Sequence, residues 1–557
     1  MISVALIFCY ILITGYILGF SFLKIVGAHE NYRVRGTVHI LVAGLCILIV
    51  YAQIFSLFYR VSLLANIVLC LICALLVILN GSGIKNEISE SFKDFGVLKA
   101  IGIALLFLLF AYGTSHGYMH YDSDLYHAQS IRWIEEYGVV PGLGNLHTRL
   151  AYNSSAFALS ALFSFAFLGK GSFHVCQGLL AFLVFIHSLK LFGKQGFKKP
   201  GLSMIPRLVA VYYILNIFDE MVSPASDYFV VLMVLYTVIT YMDLCEEKVT
   251  EYYPFALLSL ACLMIGSIKI SAVLITLIVV YPLCTMIGQK KIKEVLFYIG
   301  MGIAALLPFI IRNVILSGYL VYPVPGIDIF NFDFKIPKGL AEYDSREIQV
   351  FGRGHSDVTR YDEPLRDWIF DWVNGLDTVN KGAFLLGICS IAVLAILIIY
   401  TVIKKKKEFI PELVMITTID LSFAFFIATS PNIRYCCVFL YLAPALTLGF
   451  VYFKFVSERD RAIIYKAALC LFVLYKAFTF GSEMIRFVTP EYIIRQQGYG
   501  EYDLVRYELH GVDFYYPEEG DRTGYDKFPA APLKAEDIFR GESIKDGFKD
   551  VVHTEGR

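Results

Sequence analysis

SSAFALSALFSFAFL, Ser154–Leu168, is the stretch on which the topology turns. It is apolar enough for a lipid environment, but a helix needs about 20 residues to cross a hydrocarbon core of about 30 Å. This run offers only 15. If it crosses, the lysine-rich loop at 190–199 and every later basic loop change sides. If it folds as an interfacial or re-entrant helix, all short basic loops share one side.

The rest of the chain sets that choice in context. Of 557 residues, 57% are hydrophobic and 17% charged, with a mean hydropathy of +0.64. A soluble chain of this length carries roughly 25% charged residues. The composition therefore predicts an all-α polytopic membrane protein. The first run, from Ile2 to about Leu23, lacks a basic leader and a small-residue cleavage site, so it reads as a span rather than a signal peptide. Further spans are expected near 37–57, 61–80, 99–117, 173–192, 205–219, 227–243, 254–268, 271–288, 295–314, 381–402, 410–429, 435–453 and 462–481. The expected total is about 14.

Short loops between them carry Lys24, Arg33 and Arg35; Lys85 and Lys93; Lys194, Lys198 and Lys199; Lys290, Lys291 and Lys293; Lys404 to Lys407; and Lys454, Arg459 and Arg461. The positive-inside rule places such loops in the cytoplasm. Three hydrophilic pieces then share the extracytoplasmic side: loops 118–172 and 315–380, and a tail from 483 to 557. Residues 1–482 form the transmembrane domain. The tail, with YYPEEGDRTGYDKFPAAP, reads as a small turn-rich cap. Twelve cysteines lie almost wholly in apolar runs, and Cys70 and Cys73 read as packing residues rather than a redox or zinc pair. A formal net charge of zero gives no reason to expect nucleic acid as a partner.

The first outer loop is unusually rich in ionisable groups: HYDSDLYHAQSIRWIEEYGVVPGLGNLH, from His120 to His147. From Ser123 to Tyr137 the spacing is helical, with Gln129, Arg132 and Glu136 on one polar face. Trp133, Tyr126 and Tyr137 suit the headgroup level, so the helix is expected to lie along the bilayer. Asp122, Ser123 and Asp124 can cap it. Capping needs only one of them and leaves His120 and His127 unused. A divalent cation held by Asp122, Asp124 and His127, with His120, is a further possibility for this mixture of oxygen and nitrogen donors. A turn through Gly138, Pro141, Gly142 and Gly144 folds Asn145, His147 and Arg149 back toward the acids.

Asp122 and Tyr126 at this spacing, just outside a span and before a short helix ending in Gly, resemble the first outer loop of GT-C glycosyltransferases. These are multi-span enzymes that take a sugar from a polyprenyl-phosphate carrier, such as the protein O-mannosyltransferases and the aminoarabinose transferases of lipid A. Their loop reads D-E-x-x-Y-x-x-x-A; here Ser123 replaces the second acid and Asp124 follows it. LPFIIRNVILSGYLVYP, Leu307–Pro323, resembles the family's P-x-x-x-R-N-x-x-x-x-G-x-x-x-Y-P segment. GSIKIS around Lys269 and SPNIRY, Ser430–Tyr435, resemble its mid-protein Gly…Lys stretch and its late R-Y segment. The chain is also similar to bacterial membrane proteins of unassigned function with the loop form YDxDLYHxQxIxWIxEYGxVPGLGNLH. Their tails often carry a cysteine pair near a G-D…P segment, which this tail (Gly520, Asp521, Pro529) lacks.

The resemblance implies a GT-C-like bundle in a bacterial cytoplasmic membrane, with its site facing outward. It implies a glycosyltransferase, inverting, moving a sugar from a polyprenyl-phosphate donor to a cell-surface glycan, lipid or protein acceptor. Glycosyl transfer needs a base for the acceptor hydroxyl, and a partly buried carboxylate can serve. Asp122 is the expected base, with Asp124 orienting the acceptor or sharing the role. Lys269, Arg312 and Arg434, each at a predicted outer helix end, are the expected phosphate clamp. His120, Tyr126, His127, Asn145, His147 and Arg149 are the expected acceptor contacts. The segment Asp344–Pro364 has no recognisable site and reads equally as part of the acceptor cleft or a lid, or as a solvated loop. A polysaccharide polymerase or ligase, or a flippase of lipid-linked sugars, are the competing readings. The last would favour midplane charge and an internal repeat, and the sequence displays neither.

Overall fold

The computed structural model describes residues 1–550 apart from positions 29, 31, 94, 170, 194–199 and 536–537. Lys194, Lys198 and Lys199 therefore lie outside the described residues. Among the described residues ten helices are long and apolar enough to cross a membrane: Ile2–Val26, Thr37–Phe58, Leu63–Phe92, Ser226–Glu246, Ile270–Gly288, Ile292–Ser317, Thr378–Ile403, Lys407–Thr429, Cys437–Phe455 and Glu458–Phe487. The chain is an integral, all-α polytopic membrane protein. Four further predicted spans are shorter apolar helices, Val97–Gly113, Cys176–Phe192, Met204–Asn216 and Tyr252–Ile268. Helix Ser226–Glu246 runs through the centre and is buried over almost its whole length.

Ser155–Leu162 is a helix of 8 residues, all buried. At 1.5 Å per residue it covers about 12 Å, less than half of a hydrocarbon core. It packs against Thr37–Phe58 and Ala128–Glu136. Phe165 then adopts a left-handed conformation (φ 50°), and the Phe173 N–H donates back to the Ser164 carbonyl at 2.8 Å. The segment enters and leaves on the same face of the bundle.

Contacts between loops define the two faces. On one, the Lys24 ammonium meets Asn80 Oδ1 at 2.8 Å, Arg33 pairs with Glu87, and Lys190 stands 3.4 Å from Asp243. This is the lysine-rich face. On the other, the Met1 ammonium donates to the Tyr492 carbonyl at 2.6 Å, Gln497 N–H to Ser115 at 2.8 Å, and Gly142 N–H to Ile315 at 2.7 Å. This is the tail face, and both predicted outer loops lie on it.

The first two helices approach closely because both present glycine. A Cβ on Gly44 would sit 1.8 Å from the Gly15 carbonyl oxygen, and one on Gly19 would sit 1.9 Å from that of Ile40. Small residues let spanning helices meet backbone to backbone.

Two expectations change. Helix Ala128–Glu136 does not lie on the lipid surface: Gln129, Ile131, Trp133, Ile134 and Glu135 are all buried. The tail covers it, packing a β-hairpin (Leu504–Leu509 and Val512–Pro517) and Phe528, Phe539 and Phe548 against Trp133, Val140 and Leu143. Its polar residues serve that contact, since Gln129 Nε2 donates to the Gly524 and Lys527 carbonyls at 3.0 and 2.9 Å. Charge at mid-span is also present: Asp420 lies buried midway along Ile410–Thr429.

Candidate functional site

Four backbone turning points meet at the tail face. Asp227 occupies the first turn of Ser226–Glu246, and Arg434 that of Ile433–Phe455, where Asn432 caps the helix. Lys269 sits in extended conformation (φ −153°, ψ 124°) at the tip of a hairpin between Tyr252–Ile268 and the 3₁₀ stretch Ile270–Val279. Asp122 immediately precedes a π-helical turn, Ser123–His127. Such turns are rare and gather at functional sites.

The side chains close into one cluster. Arg434 Nη2 donates to Asp122 Oδ2 at 2.8 Å and Nη1 to His120 Nε2 at 2.6 Å, while Nε stands 3.5 Å from Asp227 Oδ2. The Lys269 ammonium pairs with Asp227 Oδ1. Tyr435 lies beneath both cations, with its ring centre 4.3 Å from Lys269 Nζ and 5.2 Å from Arg434 Cζ. A guanidinium only donates, so Nε2 of His120 accepts from Arg434, while the Asp122 backbone N–H faces Nδ1 of the same ring at 3.1 Å. Burial, then the charge of Arg434, depresses the His120 pKa and keeps the ring neutral. Tyr126 has its pKa raised well above the ordinary value by burial first, then by Asp122 and Asp227.

Asp227 is 5% exposed, yet Asp122, Lys269 and Arg434 keep 16%, 22% and 24%. A sealed ion-pair network would be an expensive way to stabilise a fold. This one is partly open, so its cations can exchange a carboxylate partner for an incoming anion.

Not every expected residue joins. Asp124 points away from Asp122, because residues two apart along a helical turn lie on roughly opposite sides of it. It accepts from Gly500 N–H and Tyr502 Oη, each at 2.9 Å, and its backbone carbonyl takes the Thr523 and Gly524 N–H groups. Burial pushes its pKa up against those bonds. Asp124 is a tail anchor. Arg312 is buried elsewhere, donating to Asn153 Oδ1 at 3.0 Å and to Ser56 Oγ. None of its hydrogen bonds reaches the cluster. His127 is buried against Phe157 and Ser123, so Asp122, Asp124 and His127 do not converge. Among the described residues no three His, Cys, Asp or Glu side chains are grouped to hold a metal ion.

Asn145 spends its amide on the Phe334 carbonyl at 2.8 Å, and His147 accepts from Arg149 N–H at 3.3 Å. Burial drives the His147 pKa down to about 3. Arg149 borders the site. Burial works against its charge, but Tyr152, Asp122, Tyr126 and Glu347 together outweigh that. From the second loop, Asp344 accepts from Tyr152 and Tyr322 hydroxyls, each at 2.8 Å, and Tyr152 in turn stacks edge-on to Tyr126 at 5.6 Å.

Residues 1–441 match a family described as Domain of unknown function (DUF8201). The chain belongs to that family. It matches no curated protein and no solved structure. The DUF8201 match takes in every residue of the cluster, and the tail lies beyond it. In this DUF8201 member the residue that sequence reasoning missed is Asp227. Its signal is a carboxylate opening an otherwise apolar run, SDYFVVLMVLYTV. An acid in the first turn of a helix is ordinary capping chemistry, which disguises it. Only the fold shows that Asp227 holds Lys269 and Arg434 together.

Proposed function

We propose that this protein is a GT-C-type glycosyltransferase that takes a sugar from a polyprenyl-phosphate carrier and passes it to a cell-envelope acceptor. The single observation that carries the reading is the Asp122–Arg434–Asp227–Lys269 cluster, partly exposed where helix ends meet at the tail face. The tail face is the outer one, by the distribution of short basic loops, and 14 helices cross the bilayer.

Lys269 and Arg434 bind the carrier phosphate as its negative charge grows, Arg in a forked contact and Lys as a point charge. Asp122 gives Oδ2 to Arg434; Oδ1 accepts no hydrogen bond among the described residues. That oxygen takes the acceptor hydroxyl proton. The acceptor oxygen then bonds to the anomeric carbon from the face opposite the phosphate, and the carbon–oxygen bond to the phosphate breaks. Polyprenyl phosphate leaves with both electrons of that bond, and the sugar inverts. Asp227 positions the two cations without touching substrate.

Asp420 gives no support to a transport reading. Its carboxylate accepts from Ser390 Oγ at 3.3 Å and Thr447 Oγ1 at 3.1 Å, which makes it a satisfied pin between three helices.

The test is sugar transfer by purified protein supplied with polyprenyl-phosphate sugars and envelope acceptors. Wild type should consume a lipid-linked sugar. Asp122→Asn should lose about 10²–10⁴-fold in rate, the usual worth of a general base. Full activity in that variant, or no consumption by wild type of any sugar offered, removes the proposal.

A further inference from the structure

One cavity has no part in the charged cluster. It holds about 800 Å³ and opens at the lysine-rich face. One wall is a single stripe of helix Thr37–Phe58, from His39 through Val42, Cys46 and Val50 to Ile54. The other walls are helices Tyr252–Ile268 and Ile292–Ser317, which present small side chains at Ala261, Ala304 and Ala305. Fifteen residues of rise along the first wall give a slot of about 22 Å. Half a hydrocarbon core is about 15 Å. The slot is therefore deeper than the chain region of one leaflet, with room for an acyl chain along its length.

Its polarity is confined to one end. Arg33, Arg35 and Lys190 stand there with His39, His187 and the Thr240 hydroxyl. The carboxylates among them are partly spoken for. Asp243 is forked by the fully buried Arg207, with Nη1 at 2.9 Å. Lys190 stands 3.4 Å from that same carboxylate and 3.9 Å from Glu247, so two cations and two carboxylates balance there. Arg35 has no ion pair and no hydrogen bond among the described residues. An apolar slot between membrane-spanning helices, closed at the bilayer edge by cations, has the shape and charge of a phospholipid.

We infer that this slot binds one anionic phospholipid, with an acyl chain along helix Thr37–Phe58 and the phosphate between Arg35 and Lys190. The site lies on the face opposite the candidate active site, so its fate does not depend on the transferase reading.

The full-length protein, extracted from membranes in mild detergent, is examined by native mass spectrometry and then titrated with phosphatidylglycerol or phosphatidylcholine. Wild type should carry one phospholipid and prefer phosphatidylglycerol about tenfold, the effect of little more than one basic contact. Arg35→Glu should bring the preference close to unity. Ala261→Phe should fill the slot and abolish retention at unchanged melting temperature; if it fails to fold, Ala304→Phe reads the same wall from the lipid side. Equal retention by the slot-filling variants, absence of headgroup preference in wild type, or a co-purified polyprenyl phosphate in place of phospholipid overturns the assignment.

Discussion

Asp122 and Asp124 are two residues apart and face opposite directions. One accepts from Arg434, which lies 312 positions later; the other accepts from Gly500, 376 positions later. Their variants should therefore separate. Asp122→Asn removes transfer while the melting temperature stays near wild type. Asp124→Ala strands the Gly500 N–H and the Tyr502 hydroxyl, and should destabilise the tail by about 1–3 kcal/mol. Limited proteolysis near residues 498–525 would read that loosening, and equal effects from both substitutions would deny the division. At this scale the sequence displays the acids, and the GT-C resemblance picks out Asp122, Lys269 and Arg434. It cannot display which acid meets which cation. Those pairings depend on helix phase and on partners hundreds of residues away, which is also why Arg312 is expected at the cluster and found bonded to Asn153 and Ser56.

Helix Ala128–Glu136 shows how an element can be legible in type and misplaced in setting. Its periodicity and aromatic residues suit a membrane surface, yet the tail buries it. Glu135 meets Ser172 Oγ at 2.9 Å and the Tyr525 hydroxyl within that interface. Burial raises its pKa from 4.5 to about 7, despite the hydroxyls that favour its charged form. With the docked state holding the proton more tightly, it binds more protons than the released state between pH 4.5 and 7. Tail docking is then firmest below about pH 4.5 and weakens as pH rises through 7. Hydrogen exchange in the hairpin Leu504–Pro517 should speed up across that window, and Glu135→Gln should flatten the profile. A slope in the opposite sense would contradict the burial argument. The first helix pair offers a simpler case. Gly44→Leu forces a side chain into the Gly15 carbonyl and should cost about 1–3 kcal/mol or more, read as a fall in melting temperature; tolerance would mean the two helices do not meet as described.

Across the whole molecule, the membrane class and the shared face of the outer loops follow from hydropathy and lysine placement alone. Ser154–Leu168 settles as a buried half-length helix because eight residues cannot reach across a bilayer. The union of Asp122, Asp227, Lys269 and Arg434 is a property of topology: two helix starts, one hairpin tip and one loop reach the same point only after the bundle assembles. The central claim is that this point receives a lipid-linked phosphate. The most direct measurement is a cryo-electron microscopy structure of the full chain with polyprenyl phosphate bound. The phosphate should lie within about 4 Å of Lys269 Nζ and the Arg434 guanidinium, with Asp122 freed to face the opening beside it. A phosphate bound at Arg312, or only at the lysine-rich face, with the four-residue cluster unchanged, would contradict the account.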